Sequence, residues 1–326
     1  MVRRPPMGKY LAMRRLAVAL LAPLLAAVAC TPAADPPLSV PERTLDAALT
    51  CPRSFPHRHH EPVLLVHGTF TNPEENWSWN YLNALPAAGY DVCTVRLPER
   101  ATGDIQVSSE YVVHAVRRIF DRTGAKVDVL GHSQGGLQPR WALRWWTSLR
   151  TKVDDVVTLG APHHGTVVAD AATALGTSPP AGWQMRTTAR FIAALNGGDE
   201  TPGPVSYTSI YTLFDELVQP AAPTATSALA GASNVLVQDL CPGRPVEHVG
   251  LAYDAAVHDM VLDAFTNPGP ASPARFDPAT CFQVAFAGVA PEPLLSTGIA
   301  ELQDSSGFTG APNASAEPPL KPYARS

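Results

Sequence analysis

Apolar residues fall along this chain in two alternating rhythms. Short, nearly continuous apolar runs occupy residues 62–66, 90–95, 125–130, 153–159, 205–212 and 234–240. Runs of this length rich in Val, Ile and Leu fit strands buried on both faces. Between them lie stretches with helical spacing. Tyr111, Val112, Ala115, Val116, Ile119 and Phe120 mark one face of a helix over 107–123, and Leu137, Trp141 and Trp145 mark another. Residues 249–265 predict a closing helix. Strand and helix in alternation give an α/β fold, a mostly parallel central sheet with helices on both faces. The folded block is expected over 45–289.

Two segments break the rhythm. Residues 167–198 make a long excursion containing Trp183, Met185, Phe191, Ile192 and Leu195. It is expected to form a short cap or pocket wall, with a peripheral crossover helix as the alternative. Pro, Ser, Gly and Ala dominate a C-terminal tail over 290–326, and 311–326 read as disordered or loosely docked. Residues 30–44, rich in Pro, Ala and Ser over 31–41, predict a flexible tether.

The chain starts with a different pattern. Arg3, Arg4, Lys9, Arg14 and Arg15 precede an apolar stretch, 16–28, too short to span a bilayer. Ala27-Val28-Ala29 is a small-residue cleavage signal. Residues 1–29 therefore read as a signal peptide, and export follows. The Arg14-Arg15 pair fits a twin-arginine signal only loosely. Cys30, directly after Ala29, resembles the lipid-modified cysteine of a bacterial lipoprotein, although Ala27 stands where Leu is usual. Two destinations stay open, secretion and a cell-surface anchor through a lipidated Cys30.

Composition narrows the class. With 326 residues, 45% hydrophobic and 16% charged, one large domain can bury a substantial core. A net charge of −5 without a basic patch argues against a nucleic-acid partner. Besides Cys30 there are four cysteines, Cys51, Cys93, Cys241 and Cys281, which allow three disulfide connectivities. Nearest-neighbour pairing, Cys51–Cys93 and Cys241–Cys281, would close loops each worth about 4 kcal/mol in the chain-entropy model. No C-x-x-C points to zinc or redox chemistry.

The most informative chemistry lies at Gly131-His132-Ser133-Gln134-Gly135. The Gly-x-Ser-x-Gly frame alone is weak, since a loop with two glycines and a serine also satisfies it. Here a strand leads in and a helix leads out. Such a strand–turn–helix forces the serine onto a sharp turn with its hydroxyl clear of the sheet. In this arrangement the acid and the histidine come later in the chain. Asp215 follows a strand, at the end where ligand chemistry collects in open α/β sheets; Glu216 is its neighbouring competitor. His248 lies late, in a loop before a helix. His258, the rival, sits inside the expected helix, where its ring could not reach a strand-end serine. An oxyanion hole needs two convergent backbone N–H groups. Gln134, after the serine, and Thr69, in the loop containing Gly68, are the candidates. His67, His132, His163 and His164 precede the acid and read as pocket or supporting residues. His57, His59 and His60 read as a solvated loop rather than a metal site. No metal or cofactor is called for.

With these residues in place the chain resembles the α/β-hydrolase-fold lipases, more narrowly the Candida antarctica lipase B type and its bacterial relatives. The resemblance spans roughly 51–281. It is carried by Leu64-Leu65-Val66-His67-Gly68-Thr69, Ser133-Gln134-Gly135-Gly136-Leu137, Ser148-Leu149-Arg150-Thr151-Lys152-Val153-Asp154 and Ile210-Tyr211-Thr212-Leu213-Phe214-Asp215-Glu216-Leu217-Val218-Gln219-Pro220. It implies Ser133, Asp215 and His248 as a triad and Thr69 and Gln134 as oxyanion donors, with the Thr69 hydroxyl adding a third hydrogen bond. It also implies the two nearest-neighbour disulfides. Gly131-His132 is the commoner bacterial form of the motif. The acid of the family's acyl pocket is replaced near His163-His164, and the family's third disulfide has no cysteines here.

The expected function is a secreted serine carboxylic-ester hydrolase, lipase- or esterase-like, acting as a monomer on an ester or lipid. An acyltransferase or polyester depolymerase would use the same acyl-enzyme. A lipid-anchored binding protein on a hydrolase fold is the non-enzymatic alternative, which has no need of three catalytic residues in order.

Overall fold

The computed structural model describes residues 34–290 and 310–325. The expected signal peptide and Cys30 lie outside them. A seven-stranded sheet runs in the order β1-β3-β2-β4-β5-β6-β7. Its strands are β1 (Leu49–Thr50), β2 (Val63–Val66), β3 (Val92–Val95), β4 (Val127–His132), β5 (Val153–Leu159), β6 (Ser206–Tyr211) and β7 (Ser233–Leu236). Only β1, at the edge, runs antiparallel. The helices are α1 (Glu42–Ala48), α2 (Pro73–Trp77), α3 (Tyr81–Ala87), α4 (Ile105–Thr123), α5 (Leu137–Trp145), α6 (Val167–Thr173), α7 (Pro180–Gln184), α8 (Arg190–Asn196), α9 (Val237–Leu240) and α10 (Ala255–Thr266).

The apolar strand runs are explained by burial on both faces. All four residues of β2 are shielded from water. Leu64 and Val66 pack with Ile105, Val116 and Trp141 on one side of the sheet. Val63 and Leu65 pack with Leu85, Met260 and Phe265 on the other. Helix ends follow local chemistry. Asp104 accepts the N–H of Gln106 at the start of α4, and Gly124, at φ 69°, closes its end in the left-handed region that only glycine adopts freely.

This architecture collects chemistry at one rim. The chain leaves β2 into the Gly68 loop, β4 into Ser133, β5 into Gly160 and β6 into the Asp215 turn. Because β2, β4, β5 and β6 are consecutive neighbours, these four exits lie side by side at the carboxyl ends of the strands.

Several expectations need correction. The tether does not extend over all of 30–44. Asp35 pairs with Arg117 at 2.6 Å and accepts the Ser148 N–H at 3.1 Å, and Glu110 accepts the N–H groups of Ser39 and Val40 at 2.6 and 2.9 Å. The reason lies in α4, where a buried Glu110 must find donors. Nor are residues 311–325 disordered or loose. Tyr323 packs among Trp141, Trp145 and Trp146. Glu317 accepts the N–H of Phe191 at 2.8 Å. The run at 234–240 is a strand only to Leu236, then turns into α9. The closing helix begins with a 3-10 turn at Val249–Ala252, and Asp254 caps a fresh start at α10 through the N–H groups of Ala256 and Val257.

The excursion over 167–198 divides in two. Helices α6 and α7 wall the cleft described below, as expected of a cap. Helix α8 turns inward, stacking Phe191 on Trp141 at 4.5 Å. Both nearest-neighbour disulfides, Cys51–Cys93 and Cys241–Cys281, are present. Among the described residues no helix is long and apolar enough to cross a membrane.

Candidate active site

Ser133 stands at φ 55°, the strained conformation that a sharp strand-to-helix turn imposes. The surrounding glycines are obligatory. A Cβ on Gly131 would fall 2.3 Å from the Gly135 carbonyl oxygen, and one on Gly135 would fall 2.3 Å from that of Val66. The turn continues as a 3-10 helix, Ser133–Gly136, before α5.

Asp215 and His248 are paired and almost wholly buried. Asp215 Oδ2 lies 2.8 Å from His248 Nδ1. The other oxygen, Oδ1, accepts the N–H groups of Leu217 and Val218 at 2.9 and 2.7 Å, which fixes the carboxylate plane. Glu216, the competitor for the acid position, instead accepts the backbone N–H of His248 at 3.1 Å. The two adjacent acids thus hold one histidine, by its ring and by its backbone. Gly160 leaves them room, since a Cβ there would lie 3.0 Å from Asp215 Oδ2 and 3.2 Å from His248 Cε1.

The Gly68 loop borders the serine closely, because a Cβ on Gly68 would come 3.1 Å from that of Ser133. Its shape is set by Asn76 Oδ1, which accepts the Gly68 N–H at 2.9 Å, and by the Thr71 hydroxyl, which donates to the Gly68 carbonyl at 2.9 Å. The side chain of Gln134 is tied away from the cleft. Its Nε2 donates to the Ala101 carbonyl at 2.8 Å, and its Oε1 accepts from Gln138 Nε2 at 2.9 Å.

Small-molecule sites usually measure about 300–1,000 Å³, and here a cavity of about 690 Å³ opens over Thr69, Ser133 and His248. Its walls are mostly apolar, with Val168, Ala172 and Met185 from the cap region facing Leu217 and Val249.

The remaining histidines separate. His132 lines the cleft. His67 is buried behind it, its Nε2 accepting the Leu97 N–H at 3.0 Å, and burial pushes it down to about 4. His163 is buried beside Thr158 and Arg140, and burial holds it well below the ordinary histidine range. His164 contacts Glu200 at 3.1 Å. His258 stacks on Phe286 at 4.2 Å, within α10 and away from the cleft lining. His57 pairs with Asp91 and His60 stacks on Tyr90, while His59 is exposed.

One part of the site has no signal in the sequence. Glu99, Arg100 and Ala101 all take positive φ, at 52°, 54° and 58°, without a glycine among them. This left-handed run turns the Arg100 carbonyl toward the Phe70 N–H, at 2.8 Å, and the Ala101 carbonyl toward Gln134. Thr102 follows, fully buried. Its carbonyl accepts the Ala181 N–H at 3.0 Å, and its hydroxyl accepts the Ala311 N–H at 2.6 Å. The serine turn, the Gly68 loop, α7 and the C-terminal segment meet there. Asn76 was equally hidden, since nothing in its local sequence marks a contact with Gly68.

Comparison with known proteins agrees with this fold. The model of the alpha/beta hydrolase family matches residues 63–288. The chain belongs to the alpha/beta hydrolase family. This hydrolase is 31% identical to Lipase B of Pseudozyma antarctica, over 89% of its own length and 87% of the relative's. Its fold superposes on the crystal structure of Aspergillus fumigatus lipase B with a TM-score of 0.82 and 32% identity, covering 90% of this chain and 74% of that one. A triacylglycerol lipase of Pseudarthrobacter phenanthrenivorans matches a shorter stretch, 31% identical over 40% of this chain and 42% of the relative. The hydrolase is thus a homologue of lipase B.

Proposed function

We propose that this protein is a lipase- or esterase-type hydrolase of carboxylic esters that works through an acyl-enzyme on Ser133. The observation that carries the reading is the buried Asp215–His248 pair, whose histidine lines the same cleft as a serine on a strained turn. The Ser133 hydroxyl oxygen adds to the ester carbonyl carbon while His248 takes its proton. Asp215 orients the ring and stabilises the imidazolium that forms. The backbone N–H groups of Thr69 and Gln134 receive the carbonyl oxygen as it becomes negative, aided by the Thr69 hydroxyl. Loss of one such donor costs about 2.7–4 kcal/mol of transition-state stabilisation in a comparable site. The carbon–oxygen bond to the leaving group then breaks, and the alcohol departs with the proton from His248. Water repeats the sequence on the acyl-enzyme and releases the acid.

The apolar walls favour an acyl chain or other apolar group over a charged one. Two disulfides fit a protein exported to an oxidising compartment, and the secreted form is the one we propose, with Cys30 as the point of attachment if an anchored form exists. A fluorophosphonate probe tests the reading. It should label the folded protein once, and peptide mass spectrometry should place the adduct on Ser133. Labelling elsewhere, or none alongside measurable ester turnover, would overturn it. A p-nitrophenyl ester series from short to long acyl chains, with and without emulsion, then ranks lipase against esterase behaviour.

A further inference from the structure

At the end of β4 remote from Ser133, two strands fall out of step. Val127 pairs with Val153 and Val129 with Val156, so a single residue, Asp128, stands opposite both Asp154 and Asp155. The bulge gathers three carboxylates, and one oxygen from each lies within 4.8 Å of the others. Asp128 is 1% exposed and Asp155 5%. Oδ2 of Asp128 and Oδ1 of Asp155 have no hydrogen-bond partner among the described residues. Lys126 pairs with Asp154 at 2.8 Å, which sets one ammonium against three carboxylates. Unpartnered oxygens on two buried carboxylates of one cluster are costly unless the acids keep a proton or a counter-charge is supplied.

We propose that Asp128, Asp154 and Asp155 bind one hard divalent cation, calcium by its tolerance of irregular geometry. The donors are all oxygens, which suits magnesium, calcium or manganese rather than zinc or copper. Calcium accepts irregular oxygen sites with bonds of about 2.3–2.6 Å, whereas magnesium demands bonds of about 2.0–2.1 Å and a strict octahedron, which a bulge between two strands does not preset. Asp154 is 40% exposed, so the ion can enter from its side and keep water ligands there. The bound ion would clamp β4 to β5, and so brace the strand that presents Ser133, without entering ester chemistry.

The test uses the full chain, stripped with a chelator and titrated with calcium chloride by calorimetry and thermal unfolding. One calcium should bind per chain, and the unfolding midpoint should rise by several degrees at saturation, with a smaller rise in equal magnesium. Asp128→Asn should abolish both binding and shift. If that buried change prevents folding, Asp154→Asn, on the exposed side, should fold, hydrolyse a soluble ester normally and bind calcium at least tenfold more weakly. Absence of binding up to about 10 mM, beyond the weakest ordinary calcium modules, overturns the proposal. So does binding that survives in the folded variants. Stabilisation by Asp128→Asn regardless of calcium would identify the acids as sharing a proton instead.

Discussion

His132 Nε2 stands 3.2 Å from the main-chain oxygen of His248, so the residue before the turn serine props the loop that carries the proposed base. Burial pushes His132 down to about 3, which leaves the ring neutral with one N–H to donate. Its Nδ1 lies 3.3 Å from Asn76 Oδ1, the oxygen that also accepts the Gly68 N–H, and with its one proton on Nε2 the neutral ring makes no hydrogen bond there. The loops carrying Gly68, Ser133 and His248 therefore meet around this ring.

Replacing His132 by Phe should lower kcat about tenfold, equivalent to roughly 1.4 kcal/mol, with a smaller change in KM. His132→Gln, which can still donate to the His248 carbonyl, should recover part of the loss. Steady-state kinetics on a soluble ester distinguish the two. Equal loss in both variants would show that the donated hydrogen bond is not what matters.

The turn strain at Ser133 predicts a stability difference between two inactive variants. Ser133→Ala keeps a Cβ at φ 55°, whereas Ser133→Gly removes it. The glycine variant should be the more stable by about 1 kcal/mol, the strain relieved being only partly offset by the entropy of a freer unfolded chain. Urea melts of the two proteins would measure it.

Buried histidines, His163 among them, make the fold acid-sensitive. Burial pushes His67 and His258 down to about 4 and His132 to about 3. Each folded value lies below the unfolded one of 6.5, so the unfolded chain takes up the proton first. Stability is then full above about pH 6.5 and falls as pH drops from there toward 4, by at most about 1.4 kcal/mol per pH unit for each histidine. His258→Phe should retain ester hydrolysis and lose less stability than the parent between pH 7 and pH 5. The difference in urea midpoints between the two proteins isolates this group from the carboxylates. His248→Ala, in contrast, should abolish turnover.

Docking of the C-terminal segment should be visible energetically. Tyr323→Ala opens a gap among Trp141, Trp145 and Trp146 and should cost about 2 kcal/mol, below the 3–5 of a fully buried aromatic. Phe282 is 92% exposed, and Phe282→Ala should change stability by less than about 0.5 kcal/mol. Chemical denaturation of both variants tests the contrast.

Much of this molecule was legible because its decisive features are local. The β4 run, the glycines around Ser133 and the order of Asp215 and His248 all follow from short stretches read in sequence. What stayed hidden depends on distant partners. Glu110 looks like a helix-surface acid until Ser39 and Val40 are seen to bond to it. Tyr323 looks like part of a polar tail until it meets three tryptophans. Glu99, Arg100 and Ala101 carry no glycine to announce a left-handed run, so tertiary contacts alone hold them there. The limit at 234–240 was of another kind. A short apolar run fits a strand or a helical turn equally well until packing decides.

Thr102 gives the site a property that matters to anyone reshaping it. A single buried residue receives hydrogen bonds from α7 and from the C-terminal segment, next to a run that grips the serine turn and the Gly68 loop. Substitutions in these four stretches are coupled through a shared anchor, and their effects will not add. A library that randomises the cap alone would explore variants whose benefit depends on residues it leaves fixed. Recombining α7 changes with changes around residues 99–102 and 310–314 reaches combinations that stepwise selection on one wall would discard.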